Sequence, residues 1–282
     1  MDSRFFAGLV STALISGCVG DAAIGPPTPD SGTDTAVVVD SGTDAPSPPA
    51  DGGGDAPAGP WTPKKLPALA MWLDGSLGVT AGGGSKVSKW ADQSGNANDA
   101  IQQNATYQPM LSGKVNNRDC VYFTQTGTPV ELKVPSPQNA KMSGDFTVML
   151  VFQTDLPTSN AADLFRSEAT GTTHTELTVS PPDLMASFTV SGSGKAAFAP
   201  QAIFNDKKPH VVGMRKSATK LEVLADGANA SVLNPPVGDV SGQLTIGSQI
   251  KGSICEVVLS TGTVDDTALG ELTSYLKKKY AL

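Results

Sequence analysis

The stretch KVSKWADQSGNANDAI, Lys86 to Ile101, decides how this chain is read. A short apolar-polar alternation carrying Trp90 runs into Asp92, Ser94, Gly95, Asn96, Asn98 and Asp99, a density of Asx and small residues that makes a tight turn. The sequence on its C-terminal side repeats this grammar. Apolar runs of four to eight residues alternate with clusters of Gly, Pro, Asn, Asp and Ser, which predicts many short strands and hence a sandwich or barrel.

Strands are expected at Leu66 to Leu73, Val87 to Ala91, Cys120 to Thr124 and Val130 to Val134. Asp145 to Thr154 (DFTVMLVFQT) is apolar on both faces from Phe146 to Phe152, so it should lie centrally and be covered on both sides. Further strands follow at Ala162 to Arg166, Thr175 to Val179, Leu184 to Val190, Lys195 to Ala199 and His210 to Lys216. Lys220 to Ala225 and Ala228 to Leu233 flank Asp226-Gly227, a two-residue hairpin signal because both central positions of a type I′ turn need positive φ. Gln243 to Ser248 and Ser253 to Ser260 end the β set. Leu269, Leu272, Leu276 and Tyr280 then recur at helical spacing. Thr263 and Asp266 fit a capping box at the start of that helix, and Lys277, Lys278 and Lys279 stand where its dipole favours cations.

On the N-terminal side the composition changes completely. Val19 to Pro60 holds seven aspartates and no Lys, Arg or Glu, and DSGTD occurs at Asp30 to Asp34 and again at Asp40 to Asp44. Such a segment buries too little apolar surface to offset its ordering entropy, so residues 18–65 are expected to be a disordered tether. Its charge equals the net charge of −7 of the whole chain. Removing Arg4 from the 20 bases, and Asp2 with the seven tether aspartates from the 27 acids, leaves 19 of each in the folding part. The low pI therefore reports the tether, and the absence of a basic excess sets nucleic-acid binding aside.

Phe5 to Ile15 is an apolar run too short to span a bilayer and suited to a signal-peptide core. Ile15-Ser16-Gly17-Cys18 follows it and resembles the bacterial lipobox, which implies cleavage of residues 1–17 and acylation of Cys18. The expected address is thus a lipid-anchored position in the bacterial cell envelope, at the outer membrane because Val19 and Gly20 rather than an aspartate follow the cysteine.

Three segments together, WADQSGNANDA (Trp90 to Ala100), GSICEVVLSTGTVDD (Gly252 to Asp266) and SYLKKKYAL (Ser274 to Leu282), are similar to the concanavalin A-like, laminin-G-type jelly-roll domains of bacterial surface proteins. Phe146 to Phe152 and Lys220 to Gly227 fall where that family places two of its strands. The resemblance covers residues 66–282 and implies an all-β, two-sheet antiparallel jelly-roll β-sandwich with one C-terminal helix. It also implies that the strands of Cys120 and Cys255 lie close together. With Cys18 acylated, these two can form a disulfide in an oxidising compartment, or remain two buried thiols.

The catalytic relatives of this fold are β-glucanases with glutamates and an aspartate alternating on one strand; here each of the six glutamates stands alone in sequence. His174 and His210 are far apart, no G-x-S-x-G elbow occurs, and the resemblance gives His210 a structural place at a strand start. Trp72 and Trp90 are read as core, which leaves Tyr107, in a polar loop, as a candidate sugar platform. Asp92, Ser94, Asn96, Asn98 and Asp99 offer oxygens at alternate positions, as a calcium loop does, although Ala97 and Gln103 replace the glycine and acid of an EF-hand. Asx capping of a turn explains the same residues. The expected function is non-catalytic binding of carbohydrate or another extracellular ligand, without a cofactor unless calcium binds. The alternatives are a structural or adhesive protein contacting other envelope proteins, and a glycoside hydrolase of unrecognised type.

Overall fold

The computed structural model describes residues 59–124, 129–154, 161–180, 183–199, 204, 206–226 and 228–282. The chain divides into Met1–Ala56, which lies outside the described residues, and Pro57–Leu282, which contains them all. The signal peptide, Cys18 and the tether up to residue 58 therefore lie outside the described residues. Trp61 to Lys65, which composition assigns to the tether, belong to the second unit, and Pro63–Lys65 form a short 3-10 turn.

Seventeen strands are described. In chain order they are β1 (Leu69–Asp74), β2 (Val79–Ala81), β3 (Val87–Trp90), β4 (Ala100–Ile101), β5 (Met110–Val115) and β6 (Arg118–Phe123). Next come β7 (Leu132–Val134), β8 (Phe146–Thr154), β9 (Ala162–Thr170), β10 (Thr173–Ser180), β11 (Asp183–Val190) and β12 (Ser193–Ala199). The set closes with β13 (Pro209–Lys216), β14 (Lys220–Ala225), β15 (Ala228–Leu233), β16 (Gln243–Ser248) and β17 (Gly252–Ser260), followed by one helix, α1 (Asp266–Tyr280). The first sheet runs β15-β14-β13-β8-β17-β6-β5, with β1 also on β17; the second runs β12-β11-β10-β9-β16-β7-β4-β3-β2. Every pairing is antiparallel, so the described chain is a two-sheet jelly-roll sandwich with a C-terminal helix.

The central strand β8 is where its composition puts it. Phe146, Val148, Leu150 and Phe152 enter the core between the sheets, while Met149 and Val151 point to a second apolar layer under α1. Leu269, Leu272, Leu276 and Tyr280 supply the other side of that layer, as the 3.6-residue period requires. The helix start is shifted from the expected capping box. Asp265 is the N-cap, its carboxylate accepting from the Ala268 N–H at 2.8 Å, while Thr263 turns away to donate to Asp145 at 2.8 Å. Asp266 is drawn to Arg215, 2.7 Å away, and becomes the first helical residue instead of a cap partner.

Strand β17 is buried at all nine positions, which a one-residue bulge makes possible. Its register against β8 slips between Ile254 and Glu256, so Cys255 and Glu256 both face the helix layer, where strict alternation would divide them. Cys255 is bonded there to Cys120 of β6, with Sγ–Sγ 2.07 Å. In the chain-entropy account, closing a loop of 135 residues stabilises the fold by about 5 kcal/mol. Gly113 of β5 belongs to the same arrangement, since a Cβ at that position would meet Ser253 Oγ at 2.4 Å. That glycine and its neighbour Ser112 hide β5 from an alternation reading, and β2 and β4 are too short to give one.

Candidate functional site

The polar residues that stand out in the sequence are bound into the fold. Asp92 Oδ1 accepts from the backbone N–H groups of Trp72 and Ser94, both at 2.9 Å, and Oδ2 accepts from Ser94 Oγ at 2.6 Å and the Asn98 N–H at 3.0 Å. Asn96 and Asn98 donate to carbonyls of β1, and Asn98 also exchanges bonds with the backbone of Gln138. Asp99 caps the Asp92 N–H at 2.9 Å and pairs with Lys89 at 2.5 Å. The Asp92 and Asp99 oxygens thus accept from backbone N–H groups of the turn and of β1, the pattern of Asx capping. Among the described residues no three His, Cys, Asp or Glu side chains are grouped so as to hold a metal ion. Tyr107 is half-buried in its loop, its backbone bonded to Asn104 and Glu131. Trp90 is fully buried and Trp72 nearly so, the latter donating from its indole to Glu256 at 2.7 Å.

A different set of residues converges on the outer face of the second sheet. Pairing places Lys133, Thr245, Arg166, Glu176, Ser187 and Ala196 in one row across six strands, and Asp163, Thr178, Met185 and Phe198 in a second row. Arg166 is the centre. Its Nη1 lies 2.5 Å from Glu176 and 3.9 Å from Asp163, and its Nη2 lies 2.9 Å from Glu168. Thr178 Oγ1 donates to Asp163 at 2.9 Å, and His174 Nε2 is 3.7 Å from Glu176. Burial, and next the charge of Glu176, holds the Asp163 carboxyl above its ordinary value despite the bond from Thr178 and the nearby Arg166. Two polar atoms at this face, His174 Nδ1 and Ser187 Oγ, are shielded and have no hydrogen-bond partner among the described residues. Phe198, 51% exposed, lies on the same face in edge strand β12, across from Met185 and three strands from Arg166.

A bulge assembles this face. Asp163 and Arg166 are three apart, which in a regular strand puts them on opposite faces. The register of β10 against β9 slips between Leu177 and Thr178, so Leu164 and Phe165 both enter the core and Asp163 and Arg166 share the outer side. Sequence reasoning missed the site for that reason. One signal was present: Arg166 is the only Lys or Arg between Lys141 and Lys195, so a strand-rich run of the chain depends on it for positive charge. Chemically, the face offers fixed carboxylate acceptors, a guanidinium donor, hydroxyls and an aromatic ring. It can hydrogen-bond a polyol and stack the apolar side of a sugar ring, and its excess of carboxylates over cations disfavours anions.

No protein-family model and no curated protein matches this chain. Solved structures do match it in fold. The binding domain of Paraclostridial Mosquitocidal Protein 1 superposes with a TM-score of 0.55 at 9% identity, covering 76% of this chain and 53% of that one. The binding domain of botulinum neurotoxin serotype C1 gives 0.53 at 12% identity, over 74% and 52%. A Trypanosoma rangeli sialidase, solved in complex with 2,3-difluoro-KDN, gives 0.50 at 13% identity, over 75% and 33%. The chain thus spans 53% and 52% of the two toxin binding domains and 33% of the sialidase. At these identities the likeness defines the class, a jelly-roll β-sandwich, and goes no further.

Proposed function

We propose that this chain is a lipid-anchored surface protein of the bacterial envelope whose concanavalin A-like, laminin-G-type domain binds carbohydrate without catalysis. The observation that carries the reading is the outer face around Arg166, where three carboxylates, a guanidinium and hydroxyls stand together and the exposed Phe198 lies on the same face three strands away. A sugar presents alternating hydroxyls and one apolar face, and this surface complements both. The shared fold adds support, since the similar structures include binding domains and a sialidase with a sugar-acid analogue bound.

The pairing of Arg166 supports the reading without catalysis. A glycosidase needs one carboxyl that transfers a proton and a second that attacks or activates water. Arg166 contacts both Glu168 and Glu176 at 2.9 Å or closer, which ties both carboxylates to its guanidinium and offsets the charge a nucleophile would use. Anchoring rests on the lipobox-like Ile15 to Cys18, and Cys18→Ser is expected to release the protein from membranes.

Glycan-array binding by the full chain tests the proposal, run with and without EDTA. Binding that is unaffected by EDTA and lost in Phe198→Ala and Arg166→Ala is expected. No glycan bound under either condition would shift the account to contacts with envelope proteins, and turnover of a β-glucan that stops on changing Glu168 or Glu176 would make the protein a hydrolase.

A further inference from the structure

A concave surface lies on the opposite side of the sandwich from the Arg166 face, along the outer flank of α1. It is a groove of about 850 Å³, within the range of small-ligand sites, and its walls include Trp61, Arg118, Glu271, Tyr275 and Lys278. The two rings are half-buried, with centroids 5.7 Å apart at 50°. Both are held from behind. The Trp61 indole donates to Glu271 at 2.7 Å, and the Tyr275 hydroxyl donates to the buried Glu256 at 3.1 Å. A platform fixed in this way loses little side-chain freedom when a ligand settles on it.

The charges in the groove are unbalanced. Asp266 is paired with Arg215 and Lys279 with Asp74 and Glu256, while Glu271 keeps its charge because the Trp61 indole that donates to it is neutral, so Arg118 and Lys278 face one unpaired carboxylate. Arg118 and Lys278 are exposed, and neither has a carboxylate partner among the described residues. An aromatic platform with two free cations at its rim complements a ring that has one apolar face and one carboxylate. We infer that this groove binds an acidic sugar, a pyranose bearing a carboxylate, with its apolar face on Trp61 and Tyr275 and its carboxylate toward Arg118 and Lys278. The site is independent of the face around Arg166, whose charge balance is opposite in sign.

Intrinsic fluorescence provides the test, because Trp61 is the half-exposed tryptophan while Trp72 and Trp90 are buried. The full chain in detergent is titrated with trigalacturonic acid, with its neutral methyl ester and with N-acetylneuraminic acid. Saturable quenching by at least one of the acids is expected, about tenfold or more stronger than any change with the ester, and weakening as salt is added. The double variant Arg118→Ser, Lys278→Gln should lose about tenfold or more in affinity while staying folded, with a melting temperature close to that of the native protein, since neither side chain has a carboxylate partner among the described residues. Phe198→Ala should leave the titration as it is, which separates this site from the sheet face. Equal response to acid and ester, no saturation by either acid at millimolar concentration, or full affinity in the double variant would overturn the inference.

Discussion

The turn at Asp92 to Asp99 and the face around Arg166 are built from similar polar residues and do opposite work. In the turn, acceptors and donors meet one another and the backbone of β1, so a dense polar motif becomes a fastening between sheets. On the face, residues scattered over β9 and β10 present carboxylates, an imidazole and a guanidinium to solvent around one cation. Local density of polar residues therefore marks where the backbone needs capping. A binding surface is marked by side chains that sheet register gathers and the backbone does not use.

Altering groups committed to the fold should cost stability, and altering the face should cost binding. The largest stability effect is expected at Lys279, which lies 2.5 Å from Asp74 and 2.6 Å from Glu256, both nearly or fully buried. Lys279→Met leaves two buried carboxylates without a cation, a loss of about 3–5 kcal/mol in urea unfolding at neutral pH. Burial holds the Glu256 carboxyl above its ordinary value of 4.5 even with Lys279 present, and the loss of that cation raises it further. A raised carboxyl favours the fold when protonated, and this advantage is lost as pH rises from 4.5 through the folded value. The variant should therefore regain stability on acidification, and a deficit that does not change with pH would contradict this assignment.

Asp92→Ala comes next. It removes the acceptor for three backbone N–H groups and one hydroxyl, and is expected to cost about 3 kcal/mol, measured as a shift in the urea midpoint. Calcium should change the melting temperature of neither form, and a calcium-dependent rise in the native protein alone would turn this turn into a metal site.

A smaller effect is expected at His210, packed against Phe152 and Phe204 and bonded to Asp226 at 2.6 Å and Asp206 at 3.0 Å. Burial alone would lower its pKa, but the bonds and charges of the two aspartates outweigh it and raise the value above 6.5. Stability from this group is complete below 6.5 and lost as pH rises through the folded value, so the native protein should weaken as pH rises above 6.5. His210→Phe should flatten that slope, and an unchanged slope would assign it elsewhere.

Much of the sandwich was legible because strands buried on one or both faces must show it in their apolar pattern. Phe146 to Phe152, the hairpin flanking Asp226 and the stripe from Leu269 to Tyr280 are of this kind. Asp226 adopts the left-handed φ of 47° that the turn demands. The face around Arg166 was not legible, because it depends on where one strand slips against the next. The slip between Leu177 and Thr178 that unites Asp163 with Arg166 leaves no local mark, and neither does the one that turns Cys255 and Glu256 to the same side. Trp61 was lost to view for a different reason, since the composition around it is that of a tether.

The smallest stability effect is expected on the face itself. Arg166 is partly exposed, and Arg166→Ala should shift unfolding by no more than about 1 kcal/mol. That separation makes glycan binding by the full-length native protein, Arg166→Ala and Phe198→Ala, each confirmed as folded by its melting temperature, the most direct test of the account. The account predicts a glycan bound by the native protein and lost in both variants. A glycan bound equally well by all three would contradict it.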